Sequence, residues 1–476
     1  MKNRPWWRRT ISMGVTAIVL AGSAGCRSYP PATEPGSPPP PLPVDRKRSA
    51  ASAVWLDGPL TLRQAVEVAL VHQPSLAAAR AEADRARGVV QEAYATLWPQ
   101  LLADAGYTRM NEASSVDFGG QNLVLGEPNN YSVAFTARQG LYHGGAFDVA
   151  RQSARLQEHL ADAQIRAAEQ GTVFAVCKTY LDALLAEELL GVSKAAVESA
   201  AGHLADVERR KQQGVASDFD VLRAQVERSN LLAEQVRQQN ALHLATTAIL
   251  HAMGASQESQ IRLTDRLERK TLTVRDKAAG KTALALRPEV IQAGLAVRLQ
   301  EEGLRAAHGR YWPQLDAFFR YAWTKPDQQA LGSTDWGDSW TAGLTVGMPL
   351  FEGGARRGQV AQAEAGVRQA ESRLAAVKQQ VLLETSQAVL GLQDAEEMVR
   401  SQNASVDRAR EGLRLAEVGY REGVNTELQV TDARTALTQA RALYHQALHA
   451  HSMARIGVRR ATGELKLESL DEGEKP

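Results

Sequence analysis

Apolar residues between Ala355 and Val418 follow a heptad rhythm. Val360, Ala363, Val367, Ala370, Leu374, Val377 and Val381 step by alternating three and four positions, the seam along which neighbouring helices pack side by side. Residues 146–213 behave alike, and at about 1.5 Å per residue a helix of that length is a rod on the order of 100 Å long. Proline costs about 3 kcal/mol inside a helix, and none occurs between Pro128 and Pro288 or between Pro349 and Pro476. Ala, Arg, Glu, Leu and Lys supply 35 of the 64 residues of 355–418, the composition of long or coiled helices.

Elsewhere the period changes to two. Leu101, Ala103, Ala105 and Tyr107 alternate with Leu102, Asp104, Gly106 and Thr108, and Tyr131, Val133, Phe135 and Ala137 alternate with Ser132, Ala134, Thr136 and Arg138. Leu315, Ala317, Phe319, Tyr321 and Trp323 oppose Asp316, Phe318, Arg320, Ala322 and Thr324. Trp340, Ala342, Leu344, Val346 and Met348 oppose Thr341, Gly343, Thr345 and Gly347. These patterns predict strands at about 101–110, 131–140, 314–324 and 338–348, each apolar on one face and mostly polar or small on the other. Ten-residue strands with aromatics near their ends fit a membrane β-barrel; soluble hairpins packed on a helix are the alternative. Single-chain barrels need at least about eight strands, so four must be pooled between subunits.

The chain repeats itself. Trp98, Pro99, Gln100 and Leu101 recur as Trp312, Pro313, Gln314 and Leu315, a spacing of 214, and Pro74 matches Pro288. Downstream the spacing becomes 209: Leu141, Tyr142, His143, Gly144 and Gly145 match Leu350, Phe351, Glu352, Gly353 and Gly354, and Gly214 with Val215 matches Gly423 with Val424. The slip falls within 110–130 and 324–337, where variable surface loops are expected. A first repeat is expected over 52–265, with long helices at about 145–213 and 217–253. A second is expected over 275–465, with long helices at about 355–421 and 426–462, followed by a polar tail at 466–476.

The first residues read as an address. Lys2, Arg4, Arg8 and Arg9 precede the apolar run 11–21, too short to span a bilayer, which predicts an export signal over 1–25. Ser23, Ala24 and Gly25 precede Cys26 as small residues precede the lipid-bearing cysteine of a bacterial lipoprotein, although Ser23 stands where leucine is usual. The alternative is ordinary cleavage with Cys26 unmodified. With Arg27 in place of aspartate, the resemblance to lipoproteins implies passage to the outer membrane rather than retention at the inner one. Residues 26–51 hold a proline-rich stretch that reads as a stiff tether.

Composition narrows the function classes. Fifty-five Lys and Arg against 54 Asp and Glu leave a net charge of +1, which gives no electrostatic footprint for nucleic acid. Aromatics are only 5% of the chain, low for thick globular cores. With Cys26 taken up by the processing signal, Cys177 is alone and reads as a small apolar residue inside a helix.

The duplicated helix, strand, strand, helix, helix unit, the paired WPQL motifs, the strand ends LYHGG and PLFEGG, and the turns QGVASDFDVLRAQ and EGVNTELQVTDAR together resemble the TolC-like outer membrane factor family. The resemblance covers essentially the whole mature chain. It implies a mainly α fold with a membrane β-barrel: a homotrimer whose subunits each give four strands to a 12-stranded barrel, set on a long α-helical tunnel across the periplasm. It implies outer membrane lipid around the barrel, and a periplasmic adaptor protein and an inner-membrane pump as partners. The adaptor would dock at the helix-hairpin tips, Gly214, Val215, Ala216 and Ser217 in one and Gly423, Val424, Asn425 and Thr426 in the other. Asp432 matches the inner of two acidic pore positions and Gln429 the outer, where an acid is replaced. Asp220 and Tyr420 match residues that tie closed hairpins together, and Asn425 stands where an arginine partner is usual. As bare sequence, Asp432 and Asp220 are equally well solvated charges near helix starts, and the tips equally well helix caps.

Enzyme motifs are missing from the pattern. Gly280, Lys281 and Thr282 look like the end of a phosphate loop, but Arg275 stands where its first glycine is required. His445, His449 and His451 read as surface or tunnel-lining residues, with no HExxH and no convergent ligand. No cofactor is implied. The expected function is a passive exit duct for a tripartite efflux pump or a type I secretion system. The alternative is a non-conducting coiled-coil envelope lipoprotein, which has no need of lipid-facing aromatics.

Overall fold

The computed structural model describes residues 55–470 apart from 114, 120, 125–126, 271, 273–275, 328 and 331–332. The signal at 1–25, Cys26, the tether at 26–51 and the last part of the polar tail lie outside the described residues.

After a short strand β1 (Gly58–Leu60) come helices α1 (Leu62–His72) and α2 (Pro74–Ala95). Thr61 and Gln64 cap α1 reciprocally: the Thr61 N–H donates to Gln64 Oε1 at 3.0 Å, and the Gln64 N–H donates to Thr61 Oγ1 at 3.2 Å. Pro74 opens α2, where its missing N–H costs no helical bond. Strand β2 (Gln100–Arg109), a small hairpin β3 (Ser115–Phe118) and β4 (Gln121–Val124), and strand β5 (Asn129–His143) follow. Two long helices, α3 (Ala146–Gln212) and α4 (Asp218–Met253), complete the first unit. The strand β6 (Ile261–Leu263) leads to the second: α5 (Asp276–Leu286), α6 (Pro288–Gly309), β7 (Gln314–Lys325), β8 (Gly337–Gly347), α7 (Ala355–Arg421) and α8 (Glu427–Thr462). Equivalent helices match in length: 11 residues for α1 and α5, 22 for α2 and α6, 67 for α3 and α7, and 36 for α4 and α8. Tertiary contacts repeat as well. Gly254 ends α4 against the backbone of His72, and Gly463 ends α8 against that of Leu286.

The four main strands form one antiparallel sheet in the order β2, β5, β7, β8. Residues directly opposed across a ladder share a face, so the register decides what each face presents. Leu101 pairs Ala137, which pairs Phe319, which pairs Ala342; Tyr107 pairs Tyr131, and Phe135 pairs Tyr321, which pairs Trp340. The apolar sets of all four strands therefore share a face, and its side chains are exposed, Leu101 to 82% and Leu344 and Val346 to 68%. The opposite face carries Asp104, Arg138, Asp316 and Arg320, with Arg320 3.9 Å from Asp104 and His143 Nε2 2.9 Å from Asp316 Oδ1. β5 runs past the sequence estimate of 131–140 at both ends, and a bulge between Gly140 and Tyr142 shifts its register. The bulge pairs Tyr142 with Leu315, on the apolar face.

Midway along α3, α1 packs against the first long hairpin, and α8 of the second packs on α3 beside it. Ala65, Val66 and Ala69 share one core with Val176, Cys177, Tyr180 and Leu184 of α3, Ile249 and Met253 of α4, and Leu448 and Ile456 of α8. Burial pushes the Cys177 thiol up to about 12, so it is an inert core group. The Tyr180 hydroxyl lies 2.7 Å from Asp265 Oδ2 and 2.8 Å from the Leu60 carbonyl. β1 and β6 pair in parallel beside this core, an element the sequence does not announce because three residues are too few to show a period. The expected polar tail begins less exposed than its composition suggests: Leu467 packs on the core, and Arg459 donates to the Ser469 carbonyl.

Gly144 has φ 60° and a Cβ built there would lie 2.1 Å from the Gly309 carbonyl oxygen, whereas at Gly145, φ 83°, nothing lies within 4 Å. Gly145→Ala should cost about 1 kcal/mol from its left-handed backbone alone, and Gly144→Ala at least about 2 kcal/mol more because two backbones touch there. Thermal unfolding of the two variants checks the order; equal losses would remove the close approach as a constraint.

Candidate functional site

The two long hairpins, α3 with α4 and α7 with α8, end in turns of the same design. Gly214 has φ 75° and Gly423 φ 77°, with open space around both, so glycine is required by the backbone conformation and not by crowding. The Val215 N–H donates to the Arg210 carbonyl at 3.0 Å, and the Val424 N–H to the Gly419 carbonyl at 2.8 Å, closing the ends of α3 and α7. Each turn thereby lifts a valine to its apex: Val215 is 72% exposed and Val424 80%. Ala216 is half-buried, and Ser217 and Thr426 begin the returning helices.

The named polar residues take distinct positions. Asp220 Oδ2 accepts from the Ser217 N–H at 2.9 Å and from its hydroxyl at 2.7 Å, and these bonds hold the carboxyl below its usual range. Gln429 plays the equivalent part in the other turn, accepting the Thr426 N–H at 2.8 Å. Asn425 folds back on its own hairpin: its Nδ2 donates to the Ala416 carbonyl at 3.2 Å and lies where a Cβ on Gly419 would stand. Asp432 is exposed on α8. Tyr420 reaches across to the first hairpin, its ring 4.4 Å from the Arg210 guanidinium and 6.2 Å from the His203 ring.

Behind Tyr420 lies a polar junction that the sequence does not single out. His203 of α3, 3% exposed, is 3.4 Å from Glu427 of α8, 7% exposed. The other Glu427 oxygen is 3.5 Å from Arg223 of α4, and the Thr431 hydroxyl donates to Glu427 at 3.1 Å and lies 3.4 Å from Glu227 of α4. Arg434 of α8 pairs with Glu417 of α7 at 3.2 Å. All four long helices thus contribute charged groups to one buried site. Burial, then the nearby Arg434, holds the His203 ring below its ordinary pKa, and burial raises that of Glu227. Glu427 stands 224 residues from His203, and by itself looks like an acid favouring a helix start. The one local signal is a histidine in a helix seam that is otherwise mostly apolar, with Leu190, Ala196, Ala200 and Val207 as its neighbours along it.

The three histidines of α8 separate. His449 Nε2 lies 2.8 Å from Asp182 and His445 3.6 Å from Glu188, both on α3, while His451 is fully buried. Among the described residues no group of three or more His, Cys, Asp or Glu converges to hold a metal ion, and no helix is long and apolar enough to cross a membrane.

A family model described as "Outer membrane efflux protein" matches residues 65–255 and 279–464. The outer membrane protein TolC of Vibrio cholerae serotype O1 is 23% identical over 425 residues, 88% of this chain and 94% of that protein. The outer membrane protein OprJ of Pseudomonas aeruginosa is 24% identical over 444 residues, 90% of each chain. Among solved structures, the outer membrane protein VceC of Vibrio cholerae superposes with a TM-score of 0.73 at 20% identity, over 84% of this chain and 96% of that one.

Removing one partner of the buried junction leaves the others uncompensated, so Glu427→Ala should destabilise by about 3 kcal/mol in denaturant unfolding. The junction is also pH-sensitive. Because the folded state keeps His203 neutral, its contribution is complete above about pH 6.5 and is lost as pH falls below that toward its depressed folded value. Glu227 acts in the opposite sense, since acidification relieves the cost of ionising a buried carboxyl. Unfolding temperatures between about pH 7.5 and 5.5 should therefore fall less in His203→Gln than in the wild type, and more in Glu227→Gln.

Proposed function

This chain belongs to the outer membrane efflux protein family, and from that premise we propose that three copies join their sheets into one 12-stranded barrel and their helices into a tunnel through the periplasm. It is a non-enzymatic duct of the bacterial outer membrane for efflux or secretion. The trimer is supported by one observation: the sheet has an exposed apolar face, and among the described residues its edge strands β2 and β8 each have a single neighbour. Lipid hides such a face, and edge pairing with further copies satisfies the open backbone groups. The exposed Phe219, Leu222, Val226 and Val236 along α4 give the copies a second apolar seam. A non-conducting envelope spacer accounts for the long helices and leaves the apolar sheet face without a use.

Substrate enters from the periplasmic end. An inner-membrane pump supplies the energy, and a periplasmic adaptor protein seats on the tips, where Val215 and Val424 offer apolar contacts on turns whose shape is fixed by Gly214 and Gly423. Threefold repetition brings three Asp432 carboxylates toward the tunnel axis, where they attract cations and repel one another. Gln429 adds no charge to that ring. Tyr420 and the junction behind it hold the second hairpin to the first, with Asp220 and Asn425 fixing the ends of their own helices. Cys26, with a lipid attached, tethers the assembly to the membrane through the proline-rich segment.

Native mass of the detergent-purified protein should give a trimer, and planar-bilayer recording should give small, voltage-insensitive currents that rise in Asp432→Ala. A monomer overturns the shared barrel, and a trimer silent in both forms returns the spacer. Bulky replacements at Gly214 and Gly423 should abolish transport and leave the trimer intact, while full transport in both would remove adaptor docking from the tips.

A further inference from the structure

A cavity lined by charged side chains lies far from both the tips and the sheet. It has a volume of about 650 Å³ beside the central core, between the start of α1, the middle of α3, the segment after β6 and the end of α8. Tyr180 in its wall is 34 positions beyond the start of α3, about 50 Å along the helix, which removes the cavity from the lipid headgroups at the sheet.

Its walls are biased toward positive charge in a chain whose net charge is only +1. Arg63, Arg266, Lys270, Arg455 and Arg459 line it, against the carboxylates of Asp265 and Glu268. One of those two is already occupied. Asp265 Oδ2 accepts the Leu62 N–H at 2.8 Å and lies 2.7 Å from the Tyr180 hydroxyl, so its acceptor capacity faces the protein. Arg63 is partly satisfied by Glu67 at 3.0 Å, and Arg459 by the Ser469 carbonyl. Arg266 and Lys270 are exposed at the mouth. Three basic side chains come from segments distant in sequence from the other two, so no local composition produces the patch; the fold gathers it.

We propose that this cavity binds a cluster of carboxylates, held by charge-assisted hydrogen bonds from Arg266, Lys270 and the arginines behind them. Two sources offer that chemistry. One is a free polycarboxylate of the periplasm. The other is this chain's own Asp471, Glu472 and Glu474, which begin two positions after Ser469, whose carbonyl accepts from Arg459 of the cavity wall.

Calorimetric titration of citrate into the full-length protein at low salt tests the site and separates its sources. With a free ligand as the source, citrate binds the wild type, and Arg266→Ala with Lys270→Ala weakens it by about tenfold or more. With the chain's own acidic segment as the source, citrate binds only when Asp471→Asn, Glu472→Gln and Glu474→Gln are introduced, and adding the two alanines abolishes that binding. Glu268→Lys should tighten citrate in whichever background binds it, a change that a merely structural role for these residues would not produce. No citrate binding in any background, or binding indifferent to the two alanines, overturns the proposal.

Discussion

Backbone N–H and C=O groups cannot be left without partners in hydrocarbon, and in the proposed barrel the rest of this molecule is arranged around that constraint. Among the described residues the sheet β2, β5, β7, β8 satisfies its inner ladders and leaves its two outer edges open, while one face is apolar, built of Leu, Val, Ala, Phe, Tyr and Trp. Such a sheet is unstable in water and incomplete in lipid. In the proposed trimer each open β8 meets an open β2, and the circular arrangement of sheets dictates a circular arrangement of the helices that leave them. The lengths of 67 residues for both α3 and α7 then follow from geometry, since helices leaving one ring must reach the same depth.

Duplication supplies the shape, and departures from it supply the mechanics. Both hairpin tips use a left-handed glycine and an exposed valine. The residue that caps the returning helix is Asp220 in one and Gln429 in the other, so the same hydrogen bond is made with a charge in the first hairpin and without one in the second. The next turns differ further: Asp432 is exposed where the first hairpin carries Arg223 toward the buried Glu427. Two copies of one unit thereby present one hairpin with its charge drawn inward and one with its charge outward.

The junction of His203, Arg223, Glu227, Glu427 and Arg434 is expensive to bury and is held by mutual pairing. Ion pairs of this kind are discriminating and readily disrupted by the loss of one member. Apolar packing along the same helices would be insensitive to pH and to substitution of a single charge, so the contact between hairpins is made of the more easily switched interaction. The exposed face of the sheet and the central core around Tyr180 are, by contrast, apolar.

Much of this was legible in the sequence because it depends on period alone. A step of three and four residues permits a helix, and alternation permits a two-faced strand, whatever surrounds them; the repeated WPQL and Gly-Gly markers announce two copies of one unit. The shared apolar face of the four strands was implicit in that alternation, since a ladder in register must align it. Tertiary structure alone decided which strands are neighbours, that β1 meets β6 across 203 positions, and that a bulge returns Tyr142 to the apolar face. It alone brought His203 to Glu427 and gathered five basic residues around one cavity. The reason is range: periodicity is a property of neighbours along the chain, whereas a buried charge or a lined cavity is defined by groups hundreds of residues apart, whose meeting depends on the packing of the whole.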